Sequence, residues 1–208
     1  MPETITTPRR KLLSGFDPLD IIRHFYPDDT PLRRLLLKHG RQVRDKALAF
    51  GARPVGVPLP VDTRLAADGA MLHDIGIGRC RAPKIRCTGT APYLAHGIIG
   101  GEMLRDYGRR YGLDLEPYAR ICERHIGTGI TASEVRRRQL PIPERDYLPE
   151  TPEEQLICLA DKFFSKSGDM KEKTVAAARD SVMKFGIDTA ARFDTMCRIF
   201  GVEILTAP

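Results

Sequence analysis

Apolar residues recur at three- and four-residue intervals along almost the whole chain, and strand-like alternation is essentially absent. Leu32, Leu35, Leu36, His39, Val43 and Ala47 form one such stripe, opened by Thr30-Pro31, a capping residue with proline at the first helical position. Asp17-Pro18 opens a shorter helix through His24 and Phe25 in the same way. From about Asp62, the residues Leu65, Ala66, Gly69, Ala70 and His73 share one side of a helix that Gly76 and Gly78 are expected to end. Thr90-Ala91-Pro92 restarts helix, with His96, Ile99, Gly100, Met103, Leu104 and Tyr107 on one stripe and Gly112 as its stop. Asp114 to His125 is the next helix, carrying Tyr118, Ile121, Cys122 and His125 at helical spacing.

Two capping boxes, Thr131-Ala132-Ser133-Glu134 and Thr151-Pro152-Glu153-Glu154, open further helices, and the second helix carries Ile157, Ala160, Asp161 and Phe164. Helical spacing resumes from Lys171 with Val175, Ala178 and Val182, then Phe193, Met196, Cys197 and Phe200. Gly51 to Pro60 and Leu140 to Pro149 are rich in loop-forming residues. Residues 1 to 16 are polar and are expected to form a mobile terminus. The pattern predicts an all-α fold, a compact helical bundle forming one domain over residues 17–208.

Composition changes this picture little. A hydrophobic share of 42% with 29% charged residues fits an ordinary globular core. No apolar run approaches the ~18 residues that span a bilayer, and the first ten residues lack a signal-peptide core, so no membrane association is expected. Five scattered cysteines fit a reducing compartment, which makes the expected location cytoplasmic. Cys80 and Cys87 lack a second pair to complete a zinc site and read as structural. The net charge of +6 suggests an anionic ligand. The basic residues are dispersed and not interleaved with aromatics, so nucleic acid is not indicated. A homo-oligomer is compatible with the composition.

The chemistry centres on Gly69-Ala70-Met71-Leu72-His73-Asp74-Ile75-Gly76, where an imidazole and a carboxylate stand side by side among residues suited to burial. An uncompensated buried carboxylate costs several kcal/mol, and a divalent cation is a natural compensation. Asp161, flanked by Leu159, Ala160, Phe163 and Phe164, poses the same problem, answered by coordination or by a buried arginine. His39 lies within an apolar stripe, as a ligand or as a hydrogen-bonded core residue. His24 reads as a packing or surface residue.

The order His39, His73-Asp74, His96, His125, Asp161 resembles the HD superfamily of metal-dependent phosphohydrolases in its two-metal form, and Ile75-Gly76 matches the HDIG variant. The resemblance runs from about Leu32 to Lys166. Within it, Ile121-Cys122-Glu123-Arg124-His125-Ile126-Gly127-Thr128-Gly129-Ile130-Thr131 and Pro149-Glu150-Thr151-Pro152-Glu153-Glu154 are similar to runs in uncharacterised, archaeal-type predicted HD hydrolases. A His followed by a Thr-Gly step also occurs in bacterial HD hydrolases of diadenosine tetraphosphate.

The resemblance implies that His39, His73, Asp74 and Asp161 hold one metal, with Asp74 bridging to a second held by His96 and His125. One or two divalent ions are expected, and histidine-rich coordination favours iron, manganese, nickel or zinc over magnesium. The implied activity is hydrolysis of a phosphoester or phosphoanhydride of a small molecule, such as a nucleotide, by a metal-activated hydroxide. The alternatives are a di-iron oxygenase on the same ligand set and a ligand-sensing protein with a vestigial site.

For the substrate's anionic group, Gly127, Thr128 and Gly129 lead into a capped helix whose start offers backbone donors. The alternative is that these glycines merely separate two helices. Arg79, Lys84 and Lys162 are the expected charged partners near the metals.

Overall fold

The computed structural model describes residues 15–52 and 60–203. Nine α-helices are present among the described residues: α1 (Pro18–Phe25), α2 (Pro31–Gly51), α3 (Thr63–Leu72), α4 (His96–Tyr111), α5 (Glu116–Arg124), α6 (Ala132–Arg137), α7 (Pro152–Asp161), α8 (Val175–Met183) and α9 (Ile187–Ile199). The fold is all-α. The expected loop from Gly51 to Pro60 and the expected mobile terminus fall largely outside the described residues. Phe16 lies within them, packed edge-on against Tyr118 at 5.2 Å between ring centroids.

The helix starts follow from their caps. Asp17, Thr30, Asp62, Thr131, Thr151 and Thr174 each accept a backbone N–H of the first helical turn through a side-chain oxygen. At Thr131 and Thr151 the reciprocal bond from Glu134 and Glu154 completes a capping box.

Three boundaries differ from the sequence pattern. α3 stops at Leu72, so His73 is its C-cap and Asp74 stands in the turn beyond, whereas Gly76 and Gly78 had marked the expected end. α5 starts at Glu116, after Asp114 turns the chain by accepting the Glu116 N–H. α8 starts at Val175, behind the Thr174 cap. The basic segment after the His-Asp pair is also not plain loop. It folds into a two-residue antiparallel ribbon, β1 (Arg81–Ala82) with β2 (Cys87–Thr88), too short to leave any periodic signal.

α3 lies at the centre, against α1, α2, α5 and α7, and α9 closes over α7. Leu72, Ile75, Tyr118, Ile121, Phe163 and Phe193 are fully enclosed in the main core. Burial of each such side chain contributes about 1.5–3 kcal/mol.

Two glycines allow the close approaches that position the site. A Cβ at Gly76 would stand 2.2 Å from the carbonyl oxygen of His96, so only glycine lets the turn after Asp74 meet the start of α4. A Cβ at Gly97 would stand 2.3 Å from the Cys122 carbonyl oxygen, so glycine there lets α4 and α5 cross tightly. That crossing brings His96 and His125 together.

Several buried carboxylates are stabilised by arginines. Glu123 meets Arg105 and Arg145, Glu154 meets Arg120, and Glu134 meets Arg192. These pairs tie α4 to α5, α5 to α7 and α6 to α9.

Candidate metal centre

His39 from α2, His73 and Asp74 after α3, His96 at the start of α4, His125 after α5 and Asp161 at the end of α7 all point into one buried space. Each is less than a tenth exposed. His39 Nε2 stands 2.9 Å from Asp161 Oδ1 and 3.4 Å from Asp74 Oδ2. His73 Nε2 lies 3.3 Å from Asp74 Oδ2 and 3.6 Å from Asp161 Oδ1. On the other side of the same carboxylate, His96 Nε2 and His125 Nε2 lie 3.3 and 3.4 Å from Asp74 Oδ1. The Asp74 carboxylate therefore faces two groups of ligands, one through each oxygen.

The ring orientations are set by the backbone. Nδ1–H of His73 donates to Ala70 O at 2.7 Å, that of His96 to Tyr93 O at 2.6 Å, and that of His125 to Cys122 O at 2.7 Å. A carbonyl can only accept, so each Nδ1 carries the proton, and in the neutral ring Nε2 presents its lone pair inward. The Nε2 atoms of His96 and His125 are 3.1 Å apart. Two lone pairs and a carboxylate oxygen thus converge with no donor of their own, an arrangement that calls for a shared cation. His73 Nε2 and both Asp74 oxygens are buried without a well-formed hydrogen bond, and so is His39 Nδ1. The donor set fits divalent metal ions, and His39, His73 and Asp161, as well as His73, Asp74 and His125, are close enough to share one.

Electrostatics keep both carboxylates charged, with a proton on His73 that a bound metal would displace. Burial disfavours charge on Asp74, yet Lys166 and His73 hold it well below the ordinary carboxylate range. Asp161 is likewise held low against its burial, by Lys162 and Lys166. Burial pushes His125 down to about 3, and it also lowers His39. Burial works against a charged His73 too, but the adjacent carboxylates outweigh it and lift the ring to about 9.

The pattern of apolar positions missed Lys166. Its Nζ lies 2.9 Å from Asp74 Oδ2 and 3.8 Å from Asp161 Oδ1. Burial opposes its charge, and the two carboxylates raise its pKa nonetheless. Lys166 follows α7 in a Ser-Lys-Ser turn, and the only sequence signal was a cation placed just after an apolar helix. Asp161 has lysine partners where a buried arginine had been the alternative to coordination. Lys162 Nζ reaches Asp161 Oδ2 at 2.7 Å, because α7 ends at Asp161 and the chain turns at Lys162.

An open cleft of about 490 Å³ runs up to Asp161. Lys84, Lys162, Lys166 and Lys173 line it, and Asp161 is its one carboxylate among the described residues. Tyr93, stacked on His96 at 4.6 Å, forms part of the wall.

Of the residues expected to meet an anion, Lys84, Lys162 and Gly127 therefore stand in this cleft; Arg79, Thr128 and Gly129 are not among its lining residues. Thr128 donates its hydroxyl to Thr189 O at 2.8 Å, fastening the loop to α9. Gly129 donates its N–H to Ile126 O at 3.0 Å in a tight turn. The donors at the start of α6 are also occupied: Thr131 N–H bonds Glu134 and Ala132 N–H bonds Asp146. That helix start has capping partners of its own, so the cationic groups that line the cleft are the lysines. Three of these also hold protein oxygens: Lys162 a carboxylate oxygen of Asp161, Lys166 one of Asp74, and Lys173 the Lys162 carbonyl.

Comparison with known proteins gives the same frame. The HD domain family model matches residues 33–165. A tRNA (cytidine(56)-2'-O)-methyltransferase of Thermoplasma volcanium is 30% identical over 156 residues, 75% of this chain and 38% of the relative. The enzyme of the same description from Picrophilus torridus is 39% identical over 107 residues, 51% of this chain and 26% of the relative. An uncharacterised protein of Methanocaldococcus jannaschii is 41% identical over 103 residues, half of each chain. The chain thus spans half or less of the length of these curated relatives.

Among solved structures, the HD domain of the L. monocytogenes phosphodiesterase PgpH in complex with cyclic-di-AMP aligns with 92% of this chain and 99% of its own. It does so at 17% identity and a TM-score of 0.46, a loose likeness. The family match covers well over half of the sequence and contains all six residues of the buried His/Asp cluster: the chain belongs to the HD-domain family.

Proposed function

We propose that the protein is a metal-dependent phosphohydrolase that cleaves a phosphoester or phosphoanhydride of a small anionic molecule, with nucleotides among the candidates. His39, His73, Asp74 and Asp161 would hold one divalent metal, and Asp74, His96 and His125 a second. A transition metal such as iron, manganese, nickel or zinc suits this histidine-rich set. The observation that carries the reading is the inward convergence of the His96 and His125 Nε2 atoms on Asp74 Oδ1, with each ring's proton committed to a carbonyl on the other nitrogen. When bound, such metals supply a hydroxide at neutral pH and polarise phosphoryl oxygens.

The chain's own groups would do the rest. Asp74 faces both ligand groups at once, so its removal disrupts both. Lys84, Lys162, Lys166 and Lys173 would draw the substrate's phosphoryl oxygens to the cleft and orient them by charge-assisted hydrogen bonds. Lys162, whose ammonium also donates to His125 O at 3.1 Å, links the substrate side of the cleft to the ligand loop. The methyl-transfer activity named for two relatives belongs to chains of which this one matches well under half.

The test is a phosphate-release screen over nucleotides, dinucleoside polyphosphates and simple phosphate esters. Release is expected with transition metal, and it should vanish on chelation and in Asp74→Ala. Oxygen consumption on an organic substrate by iron-loaded protein, with no phosphate release, would move the assignment to an oxygenase.

A further inference from the structure

The lysine-lined cleft has an apolar annex outside the buried His/Asp cluster. A cavity of about 120 Å³ adjoins it, and Gly127 and Phe185 line both spaces. The annex is walled by Leu94, Ile126, Ile130 and Leu140, with Phe185 at its mouth. Phe185 comes from the turn between α8 and α9, beyond the segment that the family model matches. The residue is 56% exposed, and the guanidinium of Arg138 lies over its ring at 5.8 Å from the centroid. A Cβ built on Gly127 would meet nothing within 4 Å, so no side chain fills the space beside this shared residue.

Of the polar members of the annex, Arg192 and Glu134 pair with each other, and the Arg192 Nε is buried without a partner among the described residues, where Arg138 is committed only to the face of Phe185. The Arg192 guanidinium donates to Glu134 at 2.8 Å and to Gly129 O at 3.1 Å, and Glu134 also serves the cap of α6. A hydroxyl-rich group entering here would lose its water against walls that are mostly aliphatic, with the two arginines as its partners for several hydroxyls, which is unfavourable. A flat aromatic group would instead cover the Phe185 ring and the aliphatic walls.

We infer that Phe185 and this annex form a subsite for an aromatic organic group of the phosphate compound whose phosphoryl end meets the lysines and the metal centre. The inference rests on the phosphohydrolase reading for the position of the phosphoryl end. It adds a selectivity for aromatic over sugar or glycerol phosphates, supplied by the C-terminal helices. Because Phe185 is more than half exposed, its truncation leaves the core intact.

The experiment is calorimetric binding of two non-hydrolysable probes, 1-naphthylphosphonate and methylphosphonate, to the metal-loaded protein. Wild type should bind the naphthyl probe more tightly. Phe185→Ala should weaken naphthyl binding about tenfold, Phe185→Leu should weaken it less, and methylphosphonate affinity should be unchanged in both. Thermal unfolding of the variants should match wild type. Equal losses for both probes, or naphthyl binding unaffected by Phe185→Ala, would overturn the subsite while leaving the phosphohydrolase reading in place. Failure of wild type to bind either probe would overturn both.

Discussion

Lys166 carries the balance of charge in the metal-free centre. Its ammonium stands between Asp74 and Asp161 and is the cation that both share, beside Lys162 on Asp161 and His73 on Asp74. Removing one partner of a buried ion pair costs about 3–5 kcal/mol, because the other charge stays buried and uncompensated. Lys166→Met should therefore lower the unfolding free energy of chelated protein by about 3 kcal/mol, and divalent metal should restore most of the loss. Denaturant unfolding with and without chelator reads this directly, and an equal loss in both states would remove the charge-balancing role.

A second residue-scale expectation concerns acid. Burial opposes the charge of Glu134, but the Arg192 guanidinium and the Thr131 cap hold its pKa below the ordinary 4.5. A group whose folded pKa is depressed contributes stability above its unfolded pKa and loses it as pH falls through the folded value. Wild type should lose this contribution from about pH 4.5 downward, whereas Glu134→Gln should show a flatter profile there. Unfolding midpoints measured from pH 6 to about pH 2.5 compare the two.

At the scale of elements, the α4–α5 crossing decides whether His96 and His125 can face one Asp74 oxygen. Gly97→Ala sets two effects against each other. Helix propensity favours alanine by about 1 kcal/mol. The clash opposes it, with a Cβ only 2.3 Å from the Cys122 carbonyl oxygen, and overpacking typically costs about 1–3 kcal/mol. Backbone cannot yield as a side chain tip can, so the clash should win. Gly97→Ala should unfold at lower temperature and bind less metal per chain than wild type; unchanged metal content would mean that the crossing angle is not what holds the pair.

Much of this level was legible in the sequence, since the capping boxes at Thr131 and Thr151 and the Pro-led starts of α1 and α2 are local patterns with local causes. The end of α3 was not, because what stops it before Gly76 is tertiary. The Tyr26 hydroxyl donates to Ile75 O and accepts from Gly78 N, which holds the following turn in place across about fifty residues of chain. The β1–β2 ribbon and the Arg105–Glu123 and Arg120–Glu154 pairs are likewise long-range outcomes with no periodic trace. Asp74 and Asp161 stood out as carboxylates among apolar neighbours, whereas His39, His96 and His125 were singled out as ligands by the order of residues that resembles the HD superfamily. Lys166 and Lys173 lie in an irregular segment where a lysine is unremarkable.

Across the whole molecule, helices from distant parts of the chain converge on Asp74, and the lysine cleft opens beside Asp161. No helix among the described residues is long and apolar enough to cross a membrane. The match over residues 33–165 takes in the buried cluster, Lys84 and Lys162, while Lys166, Lys173 and Phe185 of the cleft lie beyond it. The most direct test of the central proposal is metal stoichiometry by elemental analysis of protein purified anaerobically and reloaded with excess transition metal. Asp74 faces both ligand groups, so wild type should retain two ions per chain and Asp74→Ala close to none, with both proteins folded by circular dichroism. Retention of both ions by Asp74→Ala, or no bound metal in wild type, would contradict the account.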